Sequence, residues 1–269
     1  MRYDLAMLAK RARKSRRKSI TFRPIIAPAT LASNLYASAY APIIAAWGDA
    51  TPAIMAAYER ALAALTTDSP EDLGSSIGQA ERQSEGVLVR IRLGLGAWAA
   101  AVERWHRGKW RAATLTATGV DIGTLIGAGD MRGTIGAAIE RNVGLVKSVS
   151  DQLRQRISQS VFDGLRKRTP AREVAKQIAE AGAMSKRRAL NIASDQLTKV
   201  SSELASERRR EAGIDTWEWV SSHKVNYRPE HQARDGKRYS DEEPPADLPG
   251  ELINCGCVER AVLSLDSEF

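Results

Sequence analysis

Trp217-Glu218-Trp219 … His231 … Asp235-Gly236-Lys237 … Leu248-Pro249-Gly250 … Cys255-Gly256-Cys257 is the stretch that decides the fold. Four of the five Cys and His residues of the chain (His223, His231, Cys255 and Cys257; the fifth is His106) fall within its 35 residues from His223 to Cys257. Ile214, Thr216, Glu218 and Val220 alternate with Asp215, Trp217 and Trp219, the period of a strand. Two more short strands are expected around Lys237–Ser240 and Val258–Leu263, and Pro244-Pro245 and Pro249-Gly250 force loop between them. Sparse ligand-type side chains separated by fixed turn residues describe a small module built around a site or a staple.

Upstream, from about residue 29 to 212, nearly every apolar pattern is helical. Ile54, Tyr58, Leu62 and Leu65 share a face of a segment expected to start at Thr51-Pro52, with Pro at the first helical position. Ser69-Pro70-Glu71-Asp72 reads as a second N-terminus, a Ser cap with acids against the positive end of the dipole. Ile91, Leu95, Trp98, Val102 and Trp105 then follow at spacings of four and three, with His106 expected as a partly exposed packing residue. Residues 119–136 hold six glycines, each costing a helix about 1 kcal/mol relative to Ala. They predict a loop or hinge. No Gly-Lys-Ser/Thr follows, so a phosphate-binding P-loop is not supported. Helices are expected near 137–167, 170–181 (closed by Gly182) and 186–211. In the last, Leu190, Ala193, Leu197, Val200 and Leu204 form a narrow seam for docking on another helix.

The chain is therefore expected to be mainly α: an elongated helical N-terminal region, then a small α+β C-terminal cassette with a short antiparallel sheet. The segments read as a basic arm (1–23), helical regions (24–130 and 131–184) and the cassette (185–269).

The net charge of +8 is unevenly placed. Residues 1–23 carry nine Lys/Arg against Asp4 alone, and the remainder holds 31 basic and 31 acidic side chains. The high isoelectric point thus belongs to an arm and not to a basic nucleic-acid-binding body. Lys10, Arg11, Arg13, Lys14, Arg16, Arg17 and Lys18 form its core, either a solvated run or an arm that touches DNA phosphates or an acidic protein surface. Two cysteines in 269 residues are too few for a disulfide scaffold and favour a reducing compartment. Pro24 to Gly48 is 25 residues without a charge. Its three prolines, Asn34 and Ala-rich composition argue against a membrane anchor, which needs about 20 strongly apolar residues.

The cassette resembles the head-morphogenesis domain of tailed bacteriophages, the minor head proteins typified by protein F of phage Mu. The resemblance runs from about Ser185 to Val262. It rests on Ile192-Ala193-Ser194-Asp195-Gln196 on a helix, Ala212-Gly213-Ile214 leading into the Trp217 strand, Arg228-Pro229-Glu230-His231, Asp235-Gly236-Lys237, Pro249-Gly250 and Cys255-Gly256-Cys257. Departures are Lys224 where the family has an Asp, Ser194 where it has an Arg, and Gly256 between the cysteines. The resemblance implies a non-enzymatic minor head protein at the portal vertex or inner capsid, assisting procapsid assembly and DNA packaging or ejection. Its implied partners are the portal protein and other capsid proteins, with packaged DNA reached through the basic arm. A metal-dependent nuclease or toxin-type effector sharing the cassette is the competing class.

Taken from the residues alone, the cassette leaves three readings open. A structural zinc site would use Cys255, Cys257 and His231, with His223 as a fourth ligand. A Cys255–Cys257 disulfide closes a strained loop. The plainest reading is two small buried thiols and a histidine hydrogen-bonded to the Asp-Gly turn. Ser221-Ser222-His223 and His231 … Asp235 can be drawn as catalytic constellations, but no nucleophile-elbow motif supports the first.

Overall fold

A computed structural model describes residues 3–12, 18–64, 69–127, 129–223 and 228–266 (the side chains of Ser69 and Pro70 excepted). Leu65 and the Ser69 cap therefore lie outside what is described. The order is α1 (Leu5–Ala12), β1 (Ser19–Thr21), α2 (Ala29–Leu35), a π-helical turn (Tyr36–Tyr40), α3 (Ala41–Ala64), α4 (Ser69–Thr118), α5 (Arg132–Lys167), α6 (Ala171–Glu211), β2 (Trp217–Val220), α7 (Pro229–Arg234), β3 (Arg238–Tyr239) and β4 (Val258–Ser264). The chain is mostly helical, and a four-stranded antiparallel sheet in the order β1-β4-β2-β3 follows.

Two compact units form, neither continuous in sequence: residues 1–31, 99–138 and 194–269, and residues 32–98 and 139–193. In the second, Trp47, Ile54, Tyr58, Leu73, Ile77, Leu153, Ile157, Val161, Val174 and Ile178 make one core. Polar groups inside it are paired across helices. The Trp47 indole donates to Ser150 Oγ at 2.9 Å, and the Tyr58 hydroxyl donates to the Thr169 carbonyl at 2.6 Å.

Helix boundaries differ from expectation in two places. The helix expected to start at Pro52 runs through it, from Ala41 to Ala64. Buried Ile43, Trp47 and Ala50 continue the stripe of Ile54, Ala57 and Ala61 on the N-terminal side, and that burial outweighs the lost backbone bond. Likewise α6 does not stop at Gly182. Val174, Ile178, Ala181, Ser185, Ala189 and Ala193 form an unbroken buried line past it, and nothing lies within 4 Å of where its Cβ would be. The seam on α6 is shifted at one end: Leu190 is exposed and Ala189 takes its place.

The glycine-rich segment is a loop between α4 and α5, although Gly133 and Gly136 fall in the first turns of α5. Its Ile122 and Ile126 are buried with Leu5, Ala9, Ile20, Phe22, Trp110, Ile214, Ala261 and Leu263 in the core of the first unit. The basic N-terminal segment also contributes to this core. Leu5 and Ala9 of α1 are buried, and β1 pairs with β4, Ile20 opposite Leu263. Phe22 stacks on Trp110 with ring centroids 5.6 Å apart.

Candidate functional site: a buried Cys/His cluster in the cassette

The site is assembled from the end of α6 outward. Gly213 (φ +71°) terminates the helix: the Ile214 N–H donates to the Arg209 carbonyl and the Gly213 N–H to the Arg210 carbonyl. Arg209, almost wholly buried, fixes where the chain goes next. Its guanidinium donates to Glu259 Oε1 (3.0 Å), to the Ile214 and Asp215 carbonyls (2.7 and 3.0 Å) and to both oxygens of Asp241. One side chain thus joins α6, the approach to β2, the loop after β3 and β4. Burial opposes its charge, but the bonds to Asp241 and Glu259 more than offset this and hold it protonated.

From there β2 runs between β4 and β3, with Trp217 opposite both Ala261 and Tyr239. Trp217 and Trp219 are buried with Cys255 and Cys257, and Tyr239 and Leu252 pack against them. Pro229 opens α7 at its first turn, which brings His231 inward, 2% exposed. Its ring meets Trp219 edge-on, centroids 5.0 Å apart, while Arg234 lies over the same indole at 5.1 Å. Gly236 (φ +74°) makes the turn into β3. Asp235 Oδ1 accepts the Ser221 N–H at 2.7 Å, tying the end of β2 to that turn.

The cysteines arrive on the long loop between β3 and β4. Gly250 (φ +80°) lets this loop press on α6: a Cβ there would meet Ser202 Oγ at 2.5 Å. Asn254, also left-handed (φ +60°), donates its N–H to Asp195 Oδ1 of α6 at 2.7 Å, and Lys199 neutralises that carboxylate. Cys255 and Cys257 are free thiols, both buried. Their sulfurs lie 3.5 and 3.6 Å from His231 Nδ1. The other ring nitrogen, Nε2, sits 2.8 Å from Asp247 Oδ2, and Asp247 Oδ1 accepts from Arg234 at 2.6 Å.

Electrostatics follow from this arrangement. Hydrogen bonding between the two sulfurs pulls the Cys255 thiol down and pushes the Cys257 thiol up, a coupled pair moved in opposite directions. Burial raises the Asp247 carboxyl, but the bond and charge of Arg234, helped by His231, bring it below the usual carboxylate range.

Among the sequence candidates, His231, Cys255 and Cys257 come together, with ligand atoms all within 4.8 Å of one another, and could hold a metal ion. His223 does not join them. It is exposed and faces Asp235 at 3.7 Å. The histidine of the cluster is not bonded to the Asp-Gly turn, as the plainest sequence reading had it. Its partner is Asp247, and Asp235 serves Ser221 and His223 instead, so no His231–Asp235 pair forms. Of the basic run, Lys10 and Arg11 are exposed on the last turn of α1, and Lys18 is exposed 3.9 Å from Asp266. Arg13, Lys14, Arg16 and Arg17 lie outside the described residues.

His106 is a second correction. It is fully buried, neither ring nitrogen has a hydrogen-bond partner, and burial, with Arg208 adding, pushes its pKa down to about 3. Nearby in the same unit, buried Arg208 donates to Glu103 Oε1 at 2.6 Å. Sequence reasoning missed Asp247, Arg209 and Asp195 as partners within the cassette. Only Asp195 carried a signal, through its place in the helix motif.

The cassette is thus a helix-plus-sheet module closed on a buried Cys/His cluster. Residues 151–260 match the family described as Phage Mu protein F like protein, and this part of the chain is a Phage Mu protein F-like domain. The match begins at residue 151, within α5, well before the motifs that start at Ser185. The chain is also 30% identical over 155 residues to an uncharacterized protein of Haemophilus influenzae, covering 56% of this chain and 35% of that one. It therefore spans about a third of that relative's length. No solved structure matches it. No described helix is long and apolar enough to cross a membrane.

Proposed function

We propose that this chain is a minor head protein of a tailed phage, bound at the portal vertex or inner capsid wall in few copies. There it assists procapsid assembly and DNA packaging or ejection, and it acts through contacts and not through catalysis. The observation that carries the reading is the Mu F-like domain over residues 151–260. The interior of that domain supports it. The side chains that could be drawn as a hydrolytic set are used otherwise: Ser221 is buried, Asp235 binds the Ser221 backbone, and His231 is held between Asp247 and two thiols. A catalytic base needs a reachable proton to abstract, and His231 is 2% exposed.

The basic run at residues 10–18 supplies contacts to packaged DNA or to an acidic face of a capsid protein. Co-expression with the portal protein of the same phage tests the assignment. The two should co-purify, and His231→Ala should impair assembly of heads without removing any nuclease activity. A chain that never associates with portal or capsid protein, and cleaves DNA with a divalent cation until His231 is replaced, would be an effector of the competing class.

A further inference from the structure

We propose that His231 Nδ1, Cys255 Sγ and Cys257 Sγ bind a zinc ion that staples the loop of residues 240–257 to α7.

Geometry comes first. Around a tetrahedral zinc with Zn–S about 2.3 Å and Zn–N about 2.05 Å, a nitrogen and a sulfur ligand lie ~3.6 Å apart. The two separations here are 3.5 and 3.6 Å. Thiols bonded to the ring nitrogen would not explain both at once. An imidazole nitrogen has a single in-plane lone pair and accepts one S–H well, yet the two sulfurs approach the same atom equally closely. A metal ion would satisfy all three inward-facing ligand atoms at once, where hydrogen bonds among them pair only two at a time.

The surroundings fit the same ion. Asp247 Oδ2 lies 2.8 Å from Nε2, and Nδ1 is the ring nitrogen that faces the sulfurs. Arg234 in turn fixes Asp247. A carboxylate on the far nitrogen of a ligating histidine is the usual support of zinc imidazoles. Two sulfurs and one imidazole form a soft donor set that selects zinc over magnesium or calcium.

The fold supplies a reason for a staple. Residues 240–257 contain no helix or strand, and so long an irregular segment needs ties of its own. Its described polar attachments elsewhere are Asn254 to Asp195, Arg209 and Arg210 to Asp241, Arg234 and His231 to Asp247, and Arg228 to the Ile253 carbonyl, all of them contacts of single side chains. Three protein donors leave one coordination position, and no further His, Cys, Asp or Glu among the described residues joins the group. The site does not depend on the capsid role and can be tested apart from it.

The test uses the full chain purified under reducing conditions without added metal. Elemental analysis should find about one zinc per chain. Stripping with a chelator should lower the melting temperature, and zinc should restore it. Cobalt(II) added to the stripped chain should give thiolate-to-cobalt charge-transfer absorption, and Cys257→Ser should abolish it. If Cys257→Ser does not fold, Asp247→Asn keeps all three donors and should weaken zinc binding about 10- to 100-fold. A folded chain that carries no zinc, shows no cobalt absorption on titration and melts unchanged with chelator overturns the proposal. So does cobalt absorption that survives in the double variant Cys255→Ser, Cys257→Ser.

Discussion

Asp195 Oδ1 accepts the backbone N–H of Asn254 at 2.7 Å, so the motif helix α6 directly holds the residue before the first cysteine. Asn254 sits at φ +60°, and that bond offsets the strain of a left-handed non-glycine residue. Asp195→Ala leaves the N–H without its acceptor and Lys199 without its counter-charge, and should cost about 1–3 kcal/mol. Denaturant melts of the two proteins check this. Asn254→Gly should recover part of the loss, because it removes the strain the bond holds in place.

Arg209 is the second joint. Removing it leaves Glu259 buried without its partner and Asp241 with only the longer contact to Arg210 at 3.6 Å, and Arg209→Ala should cost about 3–5 kcal/mol. Arg209→Lys should rescue little, since a single ammonium cannot reach two carboxylates and two carbonyls in one plane. A difference below 1 kcal/mol between wild type and the Ala variant would contradict the role assigned here.

Much of the sheet was legible because its signals are local. The alternation around Trp217 and the turn residues Asp235-Gly236 depend on neighbours in sequence, and β2, β3 and β4 form where those signals lie. What was not legible depends on burial by distant residues. Pro52 and Gly182 carry real local penalties, yet apolar stripes on both sides keep α3 and α6 continuous. Ser19-Ile20-Thr21 is only three residues long and is hidden beside a charge run, so its pairing with β4 had no period to reveal it. Within the site, the types of three donors could be read, but the partner of His231 could not. Asp247 lies in a proline-rich loop with no periodic relation to α7, and only the folded chain brings the two to 2.8 Å.

Gly250 should tolerate no side chain. Its φ of +80° and the 2.5 Å approach of Ser202 Oγ act together, and Gly250→Ala should destabilise by about 1–3 kcal/mol. Adding Ser202→Gly should return only the steric part. Urea melts of the single and double variants separate the two contributions.

His106 predicts a pH dependence. Its folded pKa of about 3 is below the unfolded value of 6.5, so the unfolded chain binds the extra proton between those values. Stability contributed by neutral His106 is present above pH 6.5 and is lost as pH falls toward 3, at up to about 1.4 kcal/mol per pH unit. Melting curves between pH 7 and pH 4 should show His106→Leu less acid-sensitive than wild type. Equal slopes would show that His106 is not the group responsible.

If the basic run from Lys10 to Lys18 reaches DNA, affinity of the full chain for random duplex should fall with a log–log salt slope of about −6. Replacing all seven Lys and Arg with Gln should flatten that dependence. Salt-independent binding by the unsubstituted chain would remove DNA from the partners of this segment.

The central claim is that the chain is built into the phage head, and the composition of purified particles tests it most directly. Quantitative mass spectrometry of DNA-filled heads, banded by density and washed free of host protein, should find this chain at a small fraction of the major capsid protein. It should be present in procapsids before DNA entry. Its absence from both particles, with the chain abundant in the soluble lysate of the same culture, would contradict the account.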